Sequence, residues 1–202
     1  MKSKSARSPK GEARRDAIEV EGRRMLLEEG YARVSLRAIA MRLGISVGNL
    51  QYYFPTKDDL VEAVIAAEIE ASLSILDGIT WDPGRPGECI HGAARALLHH
   101  HAGDSGRFYA IAEFLALNDP RYARLKARGY AHVFGYVEGL VHLMASHLEA
   151  DLRARLAHIL VALIDGASLQ VQFAQAQLPE EHIDALAYDV AEAIQHLLKN
   201  WK

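Results

Sequence analysis

Apolar residues recur at helical spacing along almost the whole chain, and alternation of period two never persists for the length of a strand. An all-α fold is therefore expected, and glycine and proline divide it into segments. A first helix is expected from about residue 11 to Glu29, with Ala17, Val20, the stem of Arg24 and Leu27 inward and Gly30 as its stop. A second opens at Ser35, an N-capping residue, turns Leu36, Ile39, Ala40 and Leu43 inward and ends at Gly44. A third opens at Ser46 and must end near Phe54, because Pro55 disfavours helix in the residue before it. Thr56 caps a fourth that reaches about Leu76, with Asp58 and Asp59 in its first turn where the helix dipole favours negative charge. The stretch 77–88, DGITWDPGRPGE, holds three glycines and two prolines and marks a break. Beyond it, helices are expected over about 87–101, 105–117, 120–147, 151–177 and 180–199, with Asp119-Pro120 and Leu178-Pro179 as start signals. The total is about nine helices.

With 202 residues, half of them apolar, the chain can bury a substantial core in one or two domains. Its single cysteine, Cys89, cannot form an intrachain disulfide, and no secretory leader pattern is present, so a cytoplasmic location is expected. No run of 18 apolar residues occurs, and no membrane span is expected. The net charge of −3 hides an asymmetry: residues 1–60 carry 12 Lys and Arg against 8 Asp and Glu, whereas residues 61–202 carry 11 against 18. A basic end on an acidic body suggests a polyanionic partner for the first part only. Three domains are expected: a basic flexible tail over 1–10, a compact head over 11–56 and a larger body over 57–202.

The head holds two short helices, SLRAIAMRL and SVGNLQYYF, joined at Gly44-Ile45, which is a helix-turn-helix pattern. Ala40 is small where the helices approach, and Ile45 and Leu50 pack back on the preceding helices. That packing leaves Val47, Gly48, Asn49, Gln51 and Tyr52 bare, a set suited to amide hydrogen bonds with base edges and methyl contact with thymine in a major groove. Arg37, Tyr53 and Lys57, with the helix-start amides at Ser35 and Ser46, are expected to hold phosphates. Phe54 is expected in the core, and Arg42 is equally readable as a solvated charge or a contact.

Gly30-Tyr31, SLRAIAMRLGIS, Gly48, Leu50 and YYFPTKDDLV resemble the DNA-binding domain of the TetR family of transcriptional regulators, over about residues 12–64. Asn49, Gln51 and Ile45 depart from the residues most frequent in that pattern, and the first two fall on the reading face, so no relative's operator sequence transfers. The resemblance implies an all-helical homodimeric regulator, most often a repressor, whose C-terminal domain releases DNA on binding a small effector. It places phosphate contacts on Ser35, Tyr53 and Lys57 and base-proximal contacts on Val47, Gly48, Asn49, Gln51 and Tyr52.

In the body, Leu156, Ile159, Leu163 and Gly166, followed by Leu186, Val190 and Ile194, form stripes at helical spacing that fit a two-fold four-helix interface, although the same stripes could close the subunit's own core. Phe108, Glu113, Phe114, Tyr130, Phe134, Met144 and Phe173 are the candidates for a mostly apolar pocket for a drug-sized effector, with Glu113 needing a partner if buried. Plain core packing is the alternative for its aromatics. No cofactor or metal is expected. Consecutive His99, His100 and His101 point about 100° apart, and sit more simply against the last carbonyls of a helix. Glu138 and His142 share a face but lack further ligands, and Cys89 has no partner for nucleophilic chemistry, so an enzyme is not expected. The remaining alternative is a helical protein-interaction module without DNA, against which the basic head and its bare face stand.

Overall fold

The computed structural model describes residues 9–174 and 178–201. Among them are nine α-helices, one 3-10 turn and no strand. In chain order they are α1 (Pro9–Glu29), the 3-10 turn Tyr31–Arg33, α2 (Leu36–Arg42), α3 (Val47–Tyr53), α4 (Lys57–Asp77), α5 (Pro86–Ala102), α6 (Asp104–Asn118), α7 (Pro120–Met144), α8 (Ala150–Ala174) and α9 (Glu180–Asn200). The chain forms two compact units, Met1–Ala67 and Glu68–Lys202, so the division falls within α4 rather than before it. Of the basic tail, residues 1–8 lie outside the described residues, while Pro9 and Lys10 already belong to α1. The expected end of α8 at residue 177 also lies outside them.

In the first unit, local chemistry sets each boundary. Gly30 (φ 80°) and Gly44 (φ 63°) adopt the left-handed backbone that ends α1 and α2. Ser35 Oγ accepts the Ala38 N–H and Ser46 Oγ the Asn49 N–H, both at 3.1 Å, and each such cap contributes about 1 kcal/mol. At the start of α4, Thr56 Oγ1 accepts the Asp59 N–H while the Asp59 carboxylate accepts the N–H and O–H of Thr56, a reciprocal capping box.

The face α1 buries is not the expected one. Ile18, Gly22, Met25 and Leu26 point inward, and Val20 is 68% exposed. Both stripes have helical spacing, and the buried one brings Gly22 close to α4, where a Cβ would stand 3.2 Å from Leu60. A larger residue there would require the Leu60 side chain to give way by a few tenths of an ångström.

In the second unit, α5 packs on α8 and α9, and α7 on α8. Leu98, Val141, Leu156, Val171 and Ala187 are fully buried at the centre, each large side chain contributing about 2 kcal/mol by leaving water. Small residues, Ala94, Ala157 and Ala191, let the axes come close. Among the described residues one helix, α8, is long and apolar enough to cross a membrane, although charged residues such as Asp165 interrupt its apolar run. Its Leu156, Leu160, Val161 and Val171 are nevertheless buried in this unit's interior. α7 stops at Met144, short of the expected 147, because Ala145 leaves helical geometry while its N–H still reaches Val141 O.

Candidate nucleic-acid interface

α2, the Gly44 turn and α3 form the helix-turn-helix. Ile39, Ala40 and Leu50 are its buried side chains, and the Ile45 N–H closes the turn on Ala40 O at 3.0 Å. Leu50 is the one buried residue of α3. Ser46, Val47, Gly48, Asn49, Gln51 and Tyr52 are exposed, Tyr52 at 74%, and Tyr53 is half-buried with its ring edge-on to Tyr52 at 5.2 Å. A Cβ at Gly48 would meet nothing within 4 Å, so nothing inside the unit requires a glycine there. Arg37 and Ser35 are exposed at the start of α2. The expected reading residues thus share one solvent-facing surface.

Lys57 is placed differently from its expected role. Its Nζ donates to Tyr31 O at 2.6 Å and lies 3.8 Å over the Tyr31 ring, while Tyr31 Oη donates to Asp58 Oδ1 at 2.7 Å. Burial lowers the Lys57 pKa. This clamp ties the start of α4 to the 3-10 turn. Arg42, left open by the sequence, bridges α2 to α1 through Glu29 at 2.5 Å and Glu21 at 3.3 Å. The Arg24 hydrogen bond, with Arg42 beside it, holds the Glu21 carboxyl below its ordinary pKa. Phe54 is buried as expected, with the Arg15 guanidinium 5.4 Å from its ring centre. Both clamps join residues distant in sequence, and only the proximity of Tyr31 to a helix stop hints at either.

In the second unit the expected pocket residues do not assemble. Phe108 is core, Phe114 and Phe173 are 64% and 74% exposed, and Phe134 stacks on His158 at 4.1 Å. Tyr130 Oη donates to Asp165 Oδ2 at 2.8 Å. Glu113 is exposed and paired with Lys126, so its proposed need for an internal partner disappears. The unit instead holds a cavity of about 120 Å³, walled by side chains including Trp81, Leu97, Val133, Leu140, Ile164 and Asp165. Of the expected set only Met144 lines it. The wall is mostly aliphatic, which aromatic positions do not signal, and Trp81 enters it from the glycine-rich break. Loss of surrounding water raises the Asp165 pKa, against the Tyr130 hydrogen bond and nearby Lys126.

The expected interface stripe divides as well. Leu156, Val190 and Ile194 are buried in the subunit's own interior, Leu163 and Leu186 are partly buried, and Ile159 and Gly166 face solvent. The histidine trio also does other work than capping carbonyls. His99 Nε2 and Arg95 Nε meet Asp184 of α9 at 2.6 and 2.7 Å, and His101 Nδ1 lies 2.9 Å from Ser168 Oγ of α8. No group of three metal-ligating side chains occurs among the described residues.

Comparison with known proteins agrees with this geometry. Residues 20–64 match the family model for bacterial regulatory proteins of the tetR family. No curated protein sequence matches the chain. Among solved structures, a transcriptional regulator from Rhodococcus sp. Rha1 superposes with a TM-score of 0.73 at 19% identity, covering 90% of this chain and 96% of that one. A TetR transcription regulator from Haloarcula marismortui gives 0.72 at 19% identity, covering 90% and 98%. A Saccharomonospora viridis protein in complex with choline gives 0.69 at 19% identity, covering 90% and 96%. At such identities the likeness is one of fold. The matched segment runs from within α1 through the helix-turn-helix to the start of α4, so this part of the chain is similar to the DNA-binding domain of the tetR family of bacterial regulatory proteins, and the protein is a DNA-binding transcriptional regulator.

Proposed function

We propose that the protein is a cytoplasmic, homodimeric repressor that leaves its operator when a small effector occupies the second unit. The observation that carries the DNA half is α3 itself, a helix with one buried side chain and an otherwise bare surface of Val47, Gly48, Asn49, Gln51 and Tyr52. On this proposal Asn49 and Gln51 read base edges, the open space at Gly48 admits close backbone approach, and Arg37 and Tyr53 with the capped helix starts at Ser35 and Ser46 hold phosphates. Lys57 supports the site from inside, by fixing the start of α4.

Dimerisation is supported by an exposed stripe on α8, Ile159, Ala162, Gly166, Leu169 and Phe173, at spacings of three and four residues. Two copies would set their recognition helices in successive major grooves, about 34 to 36 Å apart. The choline complex of the Saccharomonospora viridis protein supports a ligand-responsive second unit, as does the cavity. The function proposed is regulatory rather than catalytic.

The test is selection of bound duplexes from random DNA, followed by titration of the winner against a scrambled copy at two salt concentrations. A palindromic winner with a large preference over its scramble is expected. Weak, salt-sensitive binding to every duplex would overturn the assignment of α3 as a reading helix.

A further inference from the structure

We infer that the cavity of the second unit takes an uncharged single-ring aromatic carrying one hydrogen-bond donor, with the ring among Leu97, Val133, Leu140 and Ile164 and the donor on Asp165. This deepens the effector proposal and rests on it. Size sets the first limit. A cavity of about 120 Å³ is of the order of the roughly 150 Å³ apolar cavity that accepts benzene, and well below the 300 Å³ or more of drug-sized pockets.

The wall sets the second limit. Tyr136 Oη, one of its few polar groups, already donates to Leu76 O at 3.0 Å. Cys89 Sγ accepts the Asp82 N–H at 3.3 Å. Asp165 receives Tyr130 on Oδ2, and its Oδ1 has no hydrogen-bond donor among the described residues. Asp165 is exposed to solvent where it lines the cavity, so its Oδ1 is open to one donor, beside the Trp81 indole in an otherwise apolar wall. An anion meets the negative charge of Asp165; an ammonium is drawn to that carboxylate but must shed hydration where the rest of the wall is aliphatic, and the benzylamine titration decides which effect wins.

Calorimetric titration of the full chain, without DNA, with phenol, toluene, benzoate and benzylamine tests this. Phenol is expected to bind one per chain and about tenfold tighter than toluene, with benzoate and benzylamine weaker than either. Asp165→Leu should erase the phenol-over-toluene ratio, and Ala93→Phe, which fills the cavity, should abolish binding. If Ala93→Phe does not fold, the ranking of the four probes on the native chain still decides. Absent phenol binding, benzylamine above phenol, or a ratio that survives Asp165→Leu would each overturn the assignment. Phenol that binds while operator DNA stays bound leaves the ligand class standing and removes the effector proposal. Release of DNA by some other compound, with phenol not bound, does the reverse.

Discussion

Acid should weaken the second unit through His101, by an amount that its surroundings fix. The imidazole lies between Ser168 Oγ, 2.9 Å from Nδ1, and the Tyr109 ring, 5.0 Å away and edge-on. Burial first, and then the neighbouring His100, lowers its pKa from 6.5 to about 4, against the opposing charge of Glu68. The folded state therefore resists a proton that the unfolded chain accepts. Below about pH 6.5 the unfolded state binds more protons, so stability falls as pH drops, by about 1.4 kcal/mol per pH unit for this group. Almost nothing is lost above about pH 7, about 2 kcal/mol is lost by pH 5 and about 3 kcal/mol by pH 4, below which the loss levels off. Urea denaturation of the native chain and of His101→Gln at about pH 7 and pH 5 reads this directly. At the higher pH the variant should be less stable by about 1 to 2 kcal/mol for the lost packing and hydrogen bond. At the lower pH the gap should close, because only the native chain suffers the proton-linked loss. A gap that stays constant between the two would refute the reasoning.

Three further outcomes follow from the placements above. Gln51→Ala should relax base preference in a duplex selection, whereas Arg37→Ala should weaken all duplexes alike and reduce the salt slope by about one; uniform loss in both would erase the division between reading and anchoring. Lys57→Met removes the donor to Tyr31 O and should destabilise the first unit by about 1 to 2 kcal/mol in urea denaturation, an effect that a purely DNA-facing lysine would not have. Gly166→Arg, on an exposed face, should yield folded monomers in sedimentation, while Val190→Arg, buried among its own subunit's side chains, should unfold the chain in circular dichroism; folded monomers from both would restore Val190 to the interface.

Local chemistry made the head legible. Gly44, Ser35, Ser46 and Pro55 act within one turn of where they stand, and the bare set on α3 follows from a single inward residue, Leu50. The body was legible only as helices. Stripes such as Leu156 with Val190 and Ile194 satisfy helical periodicity whether they meet their own subunit or a second copy, since burial is non-directional and the same apolar face serves either contact.

What the amino-acid sequence determined by itself, then, is every quantity that depends on neighbours a few residues apart: helix type, caps, stops, and the outward residues of a two-turn helix too short to hide more than one side chain. The tertiary structure decided what depends on contact between distant segments. α1 packs on α4 through a face that holds Gly22 close to Leu60, Lys57 met Tyr31 O, Lys126 took Glu113, and the cavity formed where aliphatic residues of several helices fail to fill the space between them. Such meetings are fixed by helix crossings and side-chain volumes, which a one-dimensional periodicity does not encode.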